Sequence, residues 1–561
     1  MSTVDAPGID SSEPQHVNRL TDKRERLTFA SIACTRFDIY DTTLRDGAQQ
    51  EGINLSVADK LAIATLLDEL GVGYIEGGWP GAIPKDTEFF ARAGKELRLT
   101  TATLAAFGST RRPGGAASTD EQVRALLDAE TPVITLVAKS DIRHVERALR
   151  TTPEENLAMI ADTVAHLVSR DRRVFLDAEH FFDGFTTDPA YALACVNAAA
   201  DAGADTVVLC DTNGGMLPHD VGRIVGRVAS ATSVPLGIHA HNDTGCAVAN
   251  SMAAIVHGAR HAQGTINGYG ERTGNADLTA IIGNLEVKLA RRVLPVGRLA
   301  ELTRISHAIS EIANQSPLQR QPYVGASAFA HKAGLHASAI RVDPDLYQHA
   351  DPVAVGNDMR MLVSEMAGRA TIELKGRELG FDLAGHPDVL SRITGRVKDA
   401  EAAGYTYDAA DASFELLLRE ELTGARPVFF TTESWRTVSE LAGGRGEEAV
   451  TEATVKVHAG DRRLVAVGEG NGPVNALDRA LRGGLIAVYP ELERIALVDF
   501  KVRILDSSWG TDAVTRVLIE STDSMSTWRT VGVGPNIIEA SWEALVDSLD
   551  YGLIHMGVRP R

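Results

Sequence analysis

Cysteine is scarce: the 561-residue chain has four, Cys34, Cys195, Cys210 and Cys246. They stand too far apart for a C-x-x-C metal or redox motif and are too few for a disulfide scaffold, so a reducing, cytosolic setting is expected. Long apolar runs are missing as well. No stretch of ~18 uncharged apolar residues occurs, and the first thirty residues carry no apolar core of a secretion signal. Residues 1 to about 30 are expected to form a flexible, solvated tail. There is no block of Lys and Arg either. With 56 basic against 75 acidic side chains the net charge is −19, which repels phosphate backbones and anionic lipid headgroups and leaves small molecules as the expected partners. What is present, 44% hydrophobic and 23% charged residues, matches globular protein with a sizeable core. The length implies roughly two to four domains.

From residue 37 onward, short apolar or β-branched runs alternate with amphipathic helical stretches. Eight runs stand out: FDIYD (37 to 41), VGYIEGG (72 to 78), TTATLAAF (100 to 107), VITLVAK (133 to 139), RVFLDAE (173 to 179), DTVVLCDT (205 to 212), LGIHAH (236 to 241) and ARHAQGT (259 to 265). Helical patterns such as ADKLAIATLLDELG (58 to 71) and NLAMIADTVAHLVSR (156 to 170) lie between them. Eight βα units in about 250 residues is the size of a closed (β/α)8 TIM barrel, whereas an open doubly wound sheet more often has five to seven strands. The barrel is expected over residues 31–300.

Residues 301–426 read as mainly helical linker subdomains, with breaks at QSPLQRQPYVG (315 to 325) and RVDPDLYQHADPVAVGN (341 to 357). Beyond 427 the pattern turns strand-rich and carries a weak repeat, in which VGEGNGPVNALDRAL (467 to 481) lines up with VGVGPNIIEASWEAL (531 to 545). Val, two Gly, two Ala and the final Leu match in register, each copy reading as strand, glycine turn and helix. A duplicated α+β domain is expected over 427–555, followed by a short tail at 556–561.

Active sites of such barrels lie at the C-terminal ends of the strands. Strand one runs into Arg45 and Asp46, strand five ends at Asp177 and Glu179, strand six at Asp211 and Thr212, and strand seven at His239 and His241, followed by Asn242 and Asp243. Residues i and i+2 of a strand share a face, so both imidazoles of H-x-H are expected to project toward the barrel mouth. With the Asp46 carboxylate they make a three-ligand set for a divalent metal ion, leaving positions open for substrate. Asn275, in the loop GYGERTGN (268 to 275), is a further oxygen donor, directly or through water. Arg45 beside a metal ligand is placed to stabilise an oxyanion. His331 and His336, in SAFAHKAGLHASAI (327 to 340), read from spacing alone as surface residues. Two His and one carboxylate are also the ligand set of non-haem iron oxygenases.

Three segments, LRDGAQQ (44 to 50), LGIHAHNDTGCAVANSMAAIVHGA (236 to 259) and GTINGYGERTGNADL (264 to 278), resemble the metal-dependent condensing barrels of the isopropylmalate, homocitrate and citramalate synthase family. EGGWPGAIPKD (76 to 86), LDAEHFFDGF (176 to 185), LCDTNGGMLPHD (209 to 220) and DPVAVGNDMRMLVSEMAGR (351 to 369) look most like its citramalate-forming branch. The resemblance runs from about residue 35 to the C-terminus. It implies a condensation of acetyl-CoA with pyruvate, with Mg²⁺, Mn²⁺ or Zn²⁺ held by Asp46, His239 and His241. It further implies 2-oxoacid contacts from Arg45 and Thr212, and acid/base positions at Glu179 and His336. In relatives the equivalent of His336 reaches the partner subunit's active site, which implies a homodimer with exchanged linker regions. The C-terminal repeat resembles a regulatory domain that binds the end-product amino acid, isoleucine for this branch. The alternative branch is 2-isopropylmalate synthase, using 2-oxoisovalerate. One departure stands out: the turn after strand six reads DTNGG (211 to 215), so roles beyond Thr212 do not carry over from isopropylmalate synthases.

Overall fold

A computed structural model describes residues 37–440, 450–505 and 513–561. The expected tail of residues 1 to about 30, and Cys34, lie outside them. The chain divides into two compact units, one of residues up to Ala328 with Pro352–Asn357, the other of Phe329–Asp351 with Asp358–Arg561.

In the first unit eight parallel strands close on themselves: β1 (Asp38–Asp41), β2 (Tyr74–Glu76), β3 (Thr103–Ser109), β4 (Val133–Lys139), β5 (Arg173–Glu179), β6 (Thr206–Asp211), β7 (Leu236–Ala240) and β8 (His261–Gly264). Closure runs from Asp38 opposite His261 to Asp41 opposite Gly264. Each of the eight runs read from the sequence coincides with one strand, β3 running two residues past its run, as the alternation of apolar run and helix requires. Inside the barrel Tyr40, Tyr74, Ala105, Val133 and Phe175 form a buried cluster, with the His261 ring 5.1 Å from that of Tyr40. The helix Val57–Leu70 illustrates how the alternation is punctuated. Ser56 and Asp59 form a reciprocal capping box at its start, and Gly71, at φ 93°, ends it in the left-handed region.

The second unit begins with a two-residue parallel pairing of Ala330–His331 with Arg360–Met361. Helices Arg369–Glu378, Pro387–Ala402 and Asp411–Thr423 follow, packed around Ile372, Ile393, Val397, Phe414 and Leu418. Two antiparallel three-stranded sheets complete it: β9 (Thr431–Glu440), β10 (Val450–Ala459) and β11 (Arg462–Gly470) precede helix Pro473–Leu485, and β12 (Ala496–Ile504), β13 (Thr515–Thr522) and β14 (Thr527–Gly534) precede helix Ile537–His555. The duplicated unit is therefore βββα, larger than the strand, turn and helix that the matched residues outline. Among them are contact points of helix on strand. A Cβ on Gly468 would stand 2.5 Å from Ala480 N and 2.8 Å from Ala476 O, and one on Gly532 would run into Ala540 O. Gly and Ala recur because the helix backbone lies against the strand in both copies. Among the described residues, no helix is long and apolar enough to cross a membrane.

Candidate active site

The turn that follows β1 is built around the buried Asp41, whose carboxylate accepts hydrogen bonds from Thr43 N (2.9 Å) and Thr43 Oγ1 (2.8 Å). Burial pushes its pKa up to about 7 against those two bonds. Thr43 Oγ1 in turn accepts from Ile266 N at 2.9 Å, tying the turn to the segment after β8. This bracket presents Arg45 and Asp46 at the mouth of the barrel.

Asp46, His239 and His241, all buried, come together there, each offering one ligand atom within 4.8 Å of the others. Asp46 Oδ2 is 3.3 Å from His239 Nε2 and 3.8 Å from His241 Nε2, and the two nitrogens are 3.3 Å apart. His239 Nδ1 donates to Gln263 Oε1 at 2.8 Å, and Gln263 Nε2 donates to Asp177 Oδ1 at 2.9 Å. With Nδ1 donating to Gln263, the His239 ring turns its Nε2 toward Asp46 and His241, the orientation an outer-shell partner gives a metal-binding histidine. Asn275 Oδ1 is buried without a hydrogen-bond partner, while its backbone pairs with that of His241. Two imidazoles and a carboxylate converging on one point, with an orphaned amide oxygen on the residue whose backbone pairs with His241, fit a divalent cation.

For Asp46 and His241 the electrostatics agree. Burial alone would raise the Asp46 carboxyl, yet the Arg45 charge and the His239 hydrogen bond hold it well below the usual carboxylate range. Burial and the neighbouring His239 push His241 down to about 4, which keeps it neutral near pH 7. Burial opposes charge on His239 as well, but Asp46 beside it raises its pKa. Asp177 is pushed up to about 7 by burial and by Glu76.

Arg45 Nε donates to Glu76 Oε1 at 2.6 Å, and Nη1 donates to Asp46 Oδ2 at 3.2 Å. Its guanidinium lies 3.9 Å from the centre of the Phe107 ring. Clamped by two carboxylates and an aromatic face, it is a fixed positive charge. Thr212 Oγ1 accepts from His180 N at 2.9 Å. A cavity of about 540 Å³ is lined by Arg45, Asp46, Lys139, Glu179, Thr212 and His241, with Trp79 and Phe107 among its apolar wall. Of the other strand-end candidates, Asp211 accepts from Gly215 N and Met216 N, each at 3.2 Å, and shapes the turn after β6. Asp243 is held by Arg272 through two 2.9 Å bonds.

The first unit thus carries every expected site residue except His336. His336 lies in the second unit on helix Gly334–Ile340, stacked 4.1 Å from the Tyr347 ring and 6.1 Å from that of His331. Three site residues went unread in the sequence: Glu76, Lys139 and Gln263. Each is a polar residue at or near the C-terminal end of a barrel strand, a position that makes it a candidate without separating it from a polar residue that faces solvent.

Comparison with known proteins is consistent over residues 36–553. Residues 36–309 match the HMGL-like family model, 323–404 the homocitrate synthase post-HMGL domain-like model, and 408–553 the LeuA allosteric (dimerisation) domain. An (R)-citramalate synthase of Streptomyces coelicolor is 62% identical over 534 residues, 95% of this chain and 100% of the relative. One from Aquifex aeolicus is 48% identical, over 92% of this chain and 97% of its own. A probable 2-isopropylmalate synthase of Methanopyrus kandleri stands at 32%, over 91% of this chain and 97% of its own. With the higher identities on the citramalate side and nearly full coverage on both sides of each pairing, the chain belongs to the (R)-citramalate synthase family.

Proposed function

We propose that this enzyme condenses acetyl-CoA with pyruvate and hydrolyses the resulting thioester, giving (R)-citramalate and CoA. The observation that carries the reading is the convergence of Asp46, His239 and His241 beside Arg45 at the mouth of a closed barrel, in a chain 62% identical to an (R)-citramalate synthase. Asp46, His239 and His241 would hold a divalent ion, Mg²⁺, Mn²⁺ or Zn²⁺, with Asn275 as a further oxygen donor. Such an ion supplies Lewis-acid polarisation and a template for the oxoacid. The chain's own groups do the rest. Arg45 and Thr212 contact the oxoacid, and Arg45 brings fixed positive charge to the oxygen that becomes the alcohol. A base takes a proton from the acetyl methyl group, a step in which a positioned group typically gives ~10²–10⁴-fold. Glu179 and His336 are the acid/base pair of this reading. The methyl carbon then bonds to the keto carbon, and water cleaves the thioester.

The LeuA-type match at 408–553 supports a regulatory C-terminal domain. In this reading the domains are a barrel at 31–300, linker subdomains at 301–426 and a regulatory domain at 427–555, with short tails at 1–30 and 556–561. Isoleucine is the effector, because citramalate lies on a route to it, and the enzyme is a cytosolic homodimer with exchanged linkers.

Thiol release from acetyl-CoA, measured with pyruvate, 2-oxoisovalerate and 2-oxoglutarate, tests the substrate. Pyruvate is expected to win by a wide margin, since a pocket fitted to one methyl group is overfilled by an isopropyl group. A kcat/KM ratio of pyruvate to 2-oxoisovalerate near or below unity would move the assignment to 2-isopropylmalate synthase.

A further inference from the structure

Lys139 ends β4 and Glu179 ends β5, and the two are register partners in the parallel ladder. Register partners on neighbouring strands carry their side chains on the same face, and both side chains line the cavity. The Lys139 ammonium forms an ion pair with Glu179 Oε2, each side chain being 24% exposed. The backbone around the pair is tied on every side. Glu179 O accepts from Ser140 N at 3.1 Å and from Ser140 Oγ at 2.8 Å. Lys139 O accepts from Asn156 Nδ2 at 2.9 Å, and His180 N donates to Thr212 Oγ1 at 2.9 Å.

Of the four other arginines and lysines lining the cavity, Arg45, Arg111, Arg112 and Arg272, three are committed elsewhere. Arg45 pairs with Glu76 and Asp46, Arg111 with Glu155 and Asp162, and Arg272 with Asp243. Among the described residues, Lys139 is the one ion-pair partner of the Glu179 carboxylate. A glutamate side chain turns about three bonds, and without that partner its carboxylate samples several positions in the cavity.

We propose that Lys139 is a positioning residue of the reaction, holding the Glu179 carboxylate where it meets the substrate. The inference rests on the acid/base role given to Glu179 above. Misplacement of a reacting group by about 1 Å can cost ~10²-fold, whereas partly exposed ion pairs contribute little to folding. Loss of Lys139 is therefore read in turnover and not in thermal stability.

The test uses full-length Lys139→Met, Lys139→Arg and Glu179→Gln proteins and the Lys139→Met/Glu179→Gln double variant, with initial rates of thiol release and thermal unfolding measured on each. Lys139→Met is expected to lose ~10²-fold in kcat, with KM for pyruvate within about twofold and the unfolding temperature kept. Lys139→Arg should recover most of that loss, and the double variant should be no slower than Glu179→Gln alone. Lys139→Gln replaces the methionine variant should the latter fail to fold. A wild-type kcat in Lys139→Met beside an impaired Glu179→Gln overturns the role of Lys139 alone. So does a double variant in which the two losses multiply, since Lys139 would then act apart from Glu179. A wild-type kcat in Glu179→Gln overturns the Glu179 assignment and this inference with it.

Discussion

His239 and His261 are both buried imidazoles in neighbouring barrel strands, and their surroundings give them opposite characters. His239 has a partner for each nitrogen: Gln263 Oε1 at Nδ1, and Asp46 facing Nε2. His261 has none, both ring nitrogens being buried and unpaired among Tyr40, Tyr74 and Phe175. For the first, Asp46→Asn or His239→Ala should abolish turnover and bound metal while circular dichroism stays native. Gln263→Leu should weaken metal binding by ~10- to 100-fold, because it removes only the partner that orients His239. Metal content measured on purified protein separates these cases, and stoichiometric metal in an active His239→Ala protein would reject the ligand set. For the second, burial together with the Arg173 and His239 charges pushes the His261 pKa down to about 3. Its folded value lies below the ordinary ~6.5, so unfolding takes up a proton whenever the pH lies between about 3 and 6.5. The folded state then loses up to about 1.4 kcal/mol per pH unit below 6.5. His261→Phe fills the same aromatic cluster without that penalty. It should raise the unfolding temperature at pH 5 by more than at pH 8, and equal shifts at both pH values would show that the imidazole is not the source.

At the scale of elements, the duplicated βββα unit depends on two glycines that let a helix lie on a strand. Adding a methyl group at Gly468 or Gly532 drives it into the helix backbone, at Ala480 and Ala476 or at Ala540. Such overpacking typically costs about 1–3 kcal/mol, and Gly468→Ala and Gly532→Ala should each lower the unfolding temperature. Gly483 lies in the first of these helices with open space around its Cβ position, so Gly483→Ala is the control and should be neutral or stabilising by about 0.4–1 kcal/mol. A destabilised Gly483→Ala with tolerated Gly468→Ala would refute the close-packing account. This also explains what was legible beforehand. The eight-fold alternation could be read because most of the barrel strands are short apolar runs and the stretches between them place apolar residues at helical spacing. The repeat could be read only over its last strand, the glycine turn and the helix, where Gly468 and Gly532 forbid a Cβ, so its outer strands stayed hidden. Arg45-Asp46 and His239-Ala-His241 announced themselves by spacing. Glu76, Lys139 and Gln263 did not, because one polar residue closing a strand reads the same whether it meets solvent or substrate.

Over the whole molecule, the helical segment that carries His336 and the duplicated repeat belong to one compact unit. The helix Asp411–Thr423 is pinned within that unit: Ser413 Oγ donates to Asp547 Oδ2 at 3.0 Å, and Val531 N donates to Ser413 Oγ at 3.1 Å. Arg426 pairs with both Asp547 and Asp550, and Tyr405 OH donates to Glu543 Oε1 at 2.6 Å. In the function proposed above, a ligand that shifts the repeat acts through these contacts on the helix Asp411–Thr423, and the position of His336 is the quantity that such a shift would change. Coupling energies of about 1–3 kcal/mol give several-fold inhibition or more without any change at the metal ligands. Isoleucine should accordingly inhibit the full-length enzyme, and its affinity by calorimetry should match its inhibition constant. Truncation near residue 425 should remove the response, at some cost in stability, because it uncovers the buried side of Asp411–Thr423, including Ala412, Ser413 and Leu416. Since that cost alone could depress the rate, titration of the intact chain with isoleucine, leucine and valine is the decisive measurement. Leucine binding with no isoleucine response would reject the effector assignment and shift the substrate reading toward 2-oxoisovalerate.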